Sequence, residues 1–271
     1  MQPTIAFIGA GNMSRAIFGG MLNSGYPAKH IIATGRDREK LADLASQGIN
    51  ITTDNGAAMA AADIVVLAVK PQLMQSVIQP IASVAQQHKP LIVSVAAGIT
   101  AQSIEHWLGG DLAIIRCMPN TPALVQLGAS ALCANHQVSS TQKQIVESMI
   151  ANTGLVVWVE TEAQLNVVTA LSGSGPAYFF MLMESMIAAA VSQGLPRAIA
   201  EKLALQTALG SATIAQTSDV DAGELRRRVT SPKGTTEQAI LSFEAAGFED
   251  IIKAGMQANI KRSEQLAEQF T

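Results

Sequence analysis

Cysteine is scarce in this 271-residue chain: Cys117 and Cys133 are the only two, and their separation matches no metal-ligand spacing. They read as reduced core thiols, with no disulfide framework and no metal site. Histidine is as sparse. His30, His88, His106 and His136 stand beside no obvious acid or serine partner, and none follows residue 136, so no proton-relay dyad can be assembled in the second half. The formal net charge is −3 and no basic stripe appears, which excludes nucleic acid and anionic membrane as expected partners and points to a small substrate. No charged leader with an apolar segment precedes the first strand signal, and no apolar run reads as long enough to span a bilayer. The expectation is a soluble, cytoplasmic protein.

What is present starts at once. Residues 4–14 form a short β-branched and aromatic run ending in Gly9-Ala10-Gly11, followed directly by a helical pattern. The first glycine permits a tight strand-to-helix turn. The second removes a side chain, so that backbone N–H groups and a helix N-terminus can approach a pyrophosphate. The third position of this fingerprint is Ser14, small enough for close packing and suited to cap the helix.

Short apolar runs then alternate with helical patterns to about residue 160. Strands are expected at 4–8, 31–34, 49–52, 63–69, 91–95, 112–117, 129–133 and 155–159, with helices at 14–23, 38–47, 55–62, 72–87, 101–108 and 139–152. This is the pattern of an α/β Rossmann domain, a doubly wound and mainly parallel sheet covered on both faces, over residues 1–161. Residues 162–271 carry helical periodicity instead, at 165–194, 197–216 and 234–268, and read as an all-α domain. The stretch from Met181 to Val191 is apolar nearly all round, which calls for cover on more than one side and hence for a partner subunit.

An NAD site places an acid at the end of the second strand to hold the ribose 2′-hydroxyl. This chain has Thr34-Gly35-Arg36 there. Arg36 can pair with a 2′-phosphate, Thr34 can donate to it and Gly35 leaves room, so NADP(H) is the preferred cofactor, with NAD(H) as the alternative.

Two segments of the helical half suggest where a substrate binds. Leu171-Ser172-Gly173-Ser174-Gly175-Pro176 sets small residues, two hydroxyls and a first-turn proline ahead of an apolar helix. Ser231-Pro232-Lys233-Gly234-Thr235-Thr236 opens another helix with free N–H groups and hydroxyls suited to an anion. Either alone is equally a capped helix start; beside a nucleotide site they suggest a pocket for a small carboxylate. Reducing a ketone normally needs a His, Lys or Tyr to handle the oxygen's proton. A protonated imine already carries the charge that activates its carbon, so the composition leans toward a C=N bond, although Lys70, Lys202 and Tyr178 are available.

At this point the chain resembles the pyrroline-5-carboxylate reductase family. The likeness rests on six motifs in order: Phe7 to Met13, Ala68-Val69-Lys70-Pro71-Gln72, Ser94 to Ile99, Arg116 to Pro122, Leu171 to Tyr178 and Ser231 to Thr236. The resemblance implies reduction of 1-pyrroline-5-carboxylate to L-proline by NAD(P)H, the last step of proline biosynthesis. It also implies a helical dimerisation and substrate-binding domain that interleaves with its mate in a homodimer, often extended to a decamer. It assigns the pyrophosphate to Gly9, Gly11, Asn12 and Met13, the 2′-phosphate to Arg36, and the adenosine ribose to Asn55. The nicotinamide half falls to Ala68, Val69, Lys70, Ala97 and Gly98, bordered by Asn120 and Pro122. Gly234, Thr235 and Thr236 grip the substrate carboxylate, Thr236 also meets the imine nitrogen, and Thr169, Ser174 and Gly175 shape the opposite wall. Where the family commonly has two glycines after the proline, the first is here Lys233, whose side chain alters the loop, adds a cation near the carboxylate, or points to solvent. β-Hydroxyacid dehydrogenases share the layout but need a lysine on the first long helix of the second domain, and residues 165–201 contain none. A non-catalytic NADPH-binding regulator is the reading from a different class.

Overall fold

A computed structural model describes residues 2–269. Eight strands form one sheet: β1 (Ile5–Ile8), β2 (Ile31–Thr34), β3 (Asn50–Thr52), β4 (Ile64–Leu67), β5 (Leu91–Ser94), β6 (Ile114–Met118), β7 (Gly128–Ala134) and β8 (Gly154–Trp158). All eight expected strands are there, with ends moved by a few residues. Their order is 3-2-1-4-5-6-7-8, and every neighbouring pair is parallel except the antiparallel β6 and β7. Strands β1, β4 and β5 are buried along their whole length, as the short runs Ile-Ala-Phe-Ile, Ile-Val-Val-Leu and Leu-Ile-Val-Ser require when both faces are covered.

The covering helices are α1 (Asn12–Asn23), α2 (Ala42–Ser46), α3 (Asn55–Ala60), α4 (Met74–Ile78), α5 (Ala82–His88), α6 (Ala101–Trp107) and α7 (Ser140–Ala151). Side-chain alternation splits the core into two layers. Ile5 and Phe7 join Ile17, Phe18 and Met149 on one face, while Ala6 and Ile8 join Met59, Ile78 and Ile104 on the other. Phe7 meets Phe18 edge to face at 5.3 Å.

Then follow α8 (Glu162–Val168), α9 (Gly175–Ser192), α10 (Arg197–Thr217), α11 (Ala222–Arg228), α12 (Thr235–Ala245) and α13 (Phe248–Gln269). The chain divides into two compact units, one running to Ser174 and resuming at Ala258, the other Gly175–Gln257. Helix α8 and the last turns of α13 therefore group with the sheet.

Several expected helices are broken. The stretch 72–87 is interrupted at Gln79–Ile81, where Pro80 has no N–H to give. The stretch 38–47 keeps only a 3₁₀ turn and α2. The run 165–194 is divided by a π-turn at Thr169–Gly173, and 234–268 by Gly247 with φ +75°. Helix α11 is the helical segment that ends at Val229, ahead of the hydroxyl loop; Asp221 caps it, accepting the Glu224 N–H at 2.8 Å. The reading that no apolar run is long enough to span a bilayer needs correction: the helical stretch Glu162–Ser192 is long and apolar enough, by length and composition alone, to do so. Ser172, Ser174 and Glu184 interrupt that run residue by residue and conceal its mean hydropathy.

In the second unit the apolar residues of α9 point outward from the chain. Phe179, Phe180 and Met181 are each more than 60% exposed, and Leu203, Leu209 and Ile214 of α10 are more than half exposed. So much contiguous apolar surface marks an interface.

Candidate active site

The turn after β1 has the geometry of a phosphate cradle. Gly9 sits at φ +100°, and a Cβ there would lie 2.9 Å from the Ala68 carbonyl oxygen. Gly11 is the opposite case: no atom comes within 4 Å of where its Cβ would point. Gly11 is also the N-cap of α1, which has no side-chain cap and no acid in its first turn. The leading N–H groups at Asn12 and Met13 are thus uncapped beside an open space, with the positive end of the helix dipole behind them.

Ser14 does not cap the helix as expected. The helix starts two residues earlier, and the buried Ser14 hydroxyl points back to donate to the Gly9 carbonyl at 2.5 Å. Thr34 lies buried under the same turn, its hydroxyl accepting the Gly9 N–H at 3.3 Å and its carbonyl the Ala10 N–H at 3.0 Å. Arg36, just beyond β2, is exposed and has no ion pair among the described residues. Arg15 was missed by sequence reasoning. It bonds the Ala10 carbonyl and pairs with Asp43, an interaction that raises the arginine pKa and lowers that of Asp43. That pair braces the loop and takes up Asp43, while Arg36 and Arg38 have no ion pair among the described residues.

Asn55 is half-buried at the first position of α3, whose cap Asp54 accepts the Ala57 N–H at 3.0 Å. Ala68 and Val69 are half-buried just past β4, with Lys70 exposed after them. Ala97 is half-buried past β5, and Gly98 adopts φ +72° where a Cβ would strike Leu266 of α13 at 2.9 Å. The first-unit nucleotide candidates thus sit at the C-terminal ends of parallel strands, where open α/β sheets bind ligands.

Asn120 is buried after β6 and both ends of its amide are engaged: Oδ1 accepts the Ala129 N–H at 2.9 Å, and Nδ2 donates to the Ser172 carbonyl at 3.0 Å. Pro122 is half-buried in the 3₁₀ turn that follows. The π-turn carries Thr169, whose hydroxyl donates to the Leu165 carbonyl at 2.7 Å, and it closes on the Ser174 N–H at 2.8 Å from the Thr169 carbonyl. Ser174 accepts a bond from Asn259 at 2.8 Å, a partner 85 residues away that sequence reasoning missed. Such π insertions recur at functional sites. Cys117 is fully buried, and burial pushes its thiol up to about 12; burial first, then the Glu162 carboxylate, raises Cys133 as well. Neither thiol is a nucleophile near neutral pH.

In the second unit, Gly175 is buried at the start of α9, with no atom near its would-be Cβ. Gly234 is the N-cap of α12 and offers no side chain, so the first-turn N–H groups at Thr235 and Thr236 have no side-chain acceptor. The preceding Lys233 is exposed, occupies φ +61°, and donates its N–H to Glu237 at 2.7 Å. Thr236 is exposed.

A family model described as pyrroline-5-carboxylate reductase dimerisation matches residues 162–266, and one described as NADP oxidoreductase, coenzyme F420-dependent, matches residues 4–98. A pyrroline-5-carboxylate reductase from Pseudomonas aeruginosa is 50% identical over 269 residues, 99% of this chain and 98% of its own. The solved structure of a pyrroline-5-carboxylate reductase from Coxiella burnetii superposes with a TM-score of 0.93 at 41% identity, covering 98% of this chain and 99% of that one. A Plasmodium falciparum pyrroline carboxylate reductase, solved with NADP bound, gives 0.88 at 29% identity over 98% and 99%. Since that likeness covers 98–99% of this chain and of its relatives, at up to 50% identity, the chain belongs to the pyrroline-5-carboxylate reductase family.

Proposed function

We propose that this chain reduces 1-pyrroline-5-carboxylate to L-proline with NADPH, NADH serving as the weaker donor. The observation that carries the reading is the uncapped α1 N-terminus beside the open side of Gly11, in a chain of this family. The bound dinucleotide supplies the hydride that is added to the C=N carbon. The Gly9 turn and the backbone N–H groups of Gly11, Asn12 and Met13 hold the pyrophosphate. Arg36 holds the 2′-phosphate, with Thr34 supporting the loop, and Asn55 faces the adenosine ribose. Ala68, Val69, Lys70, Ala97 and Gly98 line the nicotinamide half, with Asn120 and Pro122 at its border.

The substrate carboxylate takes the N–H groups of Thr235 and Thr236, Gly234 leaving their approach open with no side chain, and the Thr236 hydroxyl bonds the ring nitrogen. Thr169, Ser174 and Gly175 shape a wall. The Thr169 and Ser174 hydroxyls already have partners, which suits them to hold shape and leaves proton handling to Thr236. Residues 1–161 then serve the nucleotide, and 162–271 dimerisation and substrate. The exposed apolar helices support a homodimer through the helical domain; interleaving of those domains and further assembly into a decamer follow from the family resemblance alone. Cofactor and substrate are small, charged and water-borne, which suits a cytoplasmic reaction.

Mixing the purified protein with 1-pyrroline-5-carboxylate and NADPH tests this. Loss of the nicotinamide absorbance band with formation of proline is expected; tight NADPH binding without turnover favours the regulator instead. Arg36→Ala is expected to raise KM for NADPH about tenfold and leave KM for NADH nearly unchanged, since an exposed charge-assisted contact sits at the low end of its range of about 1.5–3 kcal/mol. Steady-state kinetics with both donors checks it, and equal effects would remove the 2′-phosphate assignment.

A further inference from the structure

We infer that Glu162, gripped by the buried Arg116, is a positioning residue for the nicotinamide side of the site; the inference rests on the reductase reading above. One oxygen of Glu162 accepts two bonds, from Arg116 Nη1 at 2.8 Å and from the Ala101 N–H at 2.9 Å. These partners lie 46 and 61 residues away in sequence. Each stands next to a different wall of the proposed site. Ala101 follows the Ala97–Gly98 turn, Arg116 lies in β6 just ahead of Asn120 and Pro122, and Glu162 opens the helix that runs into Thr169 and Ser174. The Asn120 bond to the Ser172 carbonyl closes the circuit. Three walls are thus pinned to one carboxylate oxygen.

Stability is a poor explanation for this pair. The Arg116 side chain is 8% exposed, Glu162 is 35% exposed, and Arg116 Nε is buried with no hydrogen-bond partner. A buried guanidinium with an orphaned donor holds a fold no better than apolar side chains of its size, whereas removing one partner alone leaves a stranded charge. What the pair supplies is geometry, because a shared acceptor fixes the start of α8 against the turns after β5 and β6. Hydride transfer is sensitive to that, as a misplacement near 1 Å from remote groups can cost about a hundredfold in rate.

Glu162→Gln, Arg116→Met and the double variant test the inference, read by melting temperature, KM for NADPH, kcat, and the primary isotope effect with NADPH deuterated at the transferred position. The double variant is expected to melt within about 3 °C of wild type, because both charges are gone together. Its kcat should stay at least about tenfold down, with KM for NADPH within about twofold and an isotope effect larger than wild type, as misplacement makes transfer itself rate-limiting. A double variant with wild-type kcat and isotope effect would overturn the inference. If the double variant does not fold, Glu162→Gln below its own melting temperature decides by the same criteria. A wild-type chain silent toward this substrate sinks the reductase reading and this inference together.

Discussion

Gly9→Ala is expected to destroy most of the dinucleotide affinity and to lower the melting temperature as well. At φ +100° an L-residue is strained by about 1–3 kcal/mol. The new methyl group would also sit 2.9 Å from the Ala68 carbonyl oxygen and 3.0 Å from Val69 Cγ1. The oxygen belongs to backbone that cannot swing away, since the Ala68 N–H is bonded to the Ile8 carbonyl at 3.0 Å. Strain and clash together should cost roughly 2–4 kcal/mol, a drop of order 5–15 °C for a chain of this size. The turn relieves the clash by moving, and it carries the Asn12 and Met13 N–H groups with it. KM for NADPH should therefore rise by about two decades, the equivalent of about 2.7 kcal/mol of lost binding. Gly11→Ala separates the two causes. Its φ of −78° suits any residue and nothing lies within 4 Å, so its melting temperature should match wild type while its methyl group occupies the pyrophosphate space. Thermal unfolding beside fluorescence titration with NADPH checks both variants. A Gly9→Ala protein that melts and binds as wild type would contradict the turn geometry.

Much of this site was legible because its signals are local. The strand-turn-helix at Gly9 to Asn12, the missing acid at Arg36 and the hydroxyl loop at 231–236 each lie within a few residues. The all-round apolar character of α9 was legible too, and its exposure in the chain is what an interface helix shows. Local rules failed where two of them competed. Ser14 looked like a cap, but Gly11 already holds the extended cap conformation, so the serine falls inside the first turn and points back into the loop. A proline inside an apolar periodic stretch should have ended it at Ile78; periodicity outweighed Pro80, and the break was missed. The reversal of β7 against β6 and the π-turn had no clear local signature. The π-turn is held by distant partners, Ser172 by Asn120 and Ser174 by Asn259. The pairing of Arg116 with Glu162 was likewise out of reach, since Glu162 lies in no motif and only the fold brings it to Arg116.

Thr236→Ala is expected to lower kcat/KM for the imine by about ten- to a hundredfold, the low end of what an assisted proton transfer contributes and about 1.4–2.7 kcal/mol of transition-state stabilisation. The loop around it is held without it. Lys233 takes the left-handed conformation, its N–H is bonded to Glu237, and the Gly234 N–H is bonded to the Ser231 carbonyl at 2.9 Å. Thr236 itself is exposed in the first turn of α12, so losing its hydroxyl should change stability by no more than about 0.5 kcal/mol. A large loss of activity without loss of melting temperature then assigns the hydroxyl to the substrate. Thr236→Ser makes the assignment specific, because it keeps the oxygen and removes only a methyl group; its kcat/KM should stay within about threefold of wild type, well short of a tenfold step of 1.4 kcal/mol. KM for NADPH should be the same in both variants, since the nucleotide is held by the other end of the chemistry. A serine variant as poor as the alanine one would mean that the methyl group, and hence packing, was the contribution of Thr236, and the ring nitrogen would need another partner.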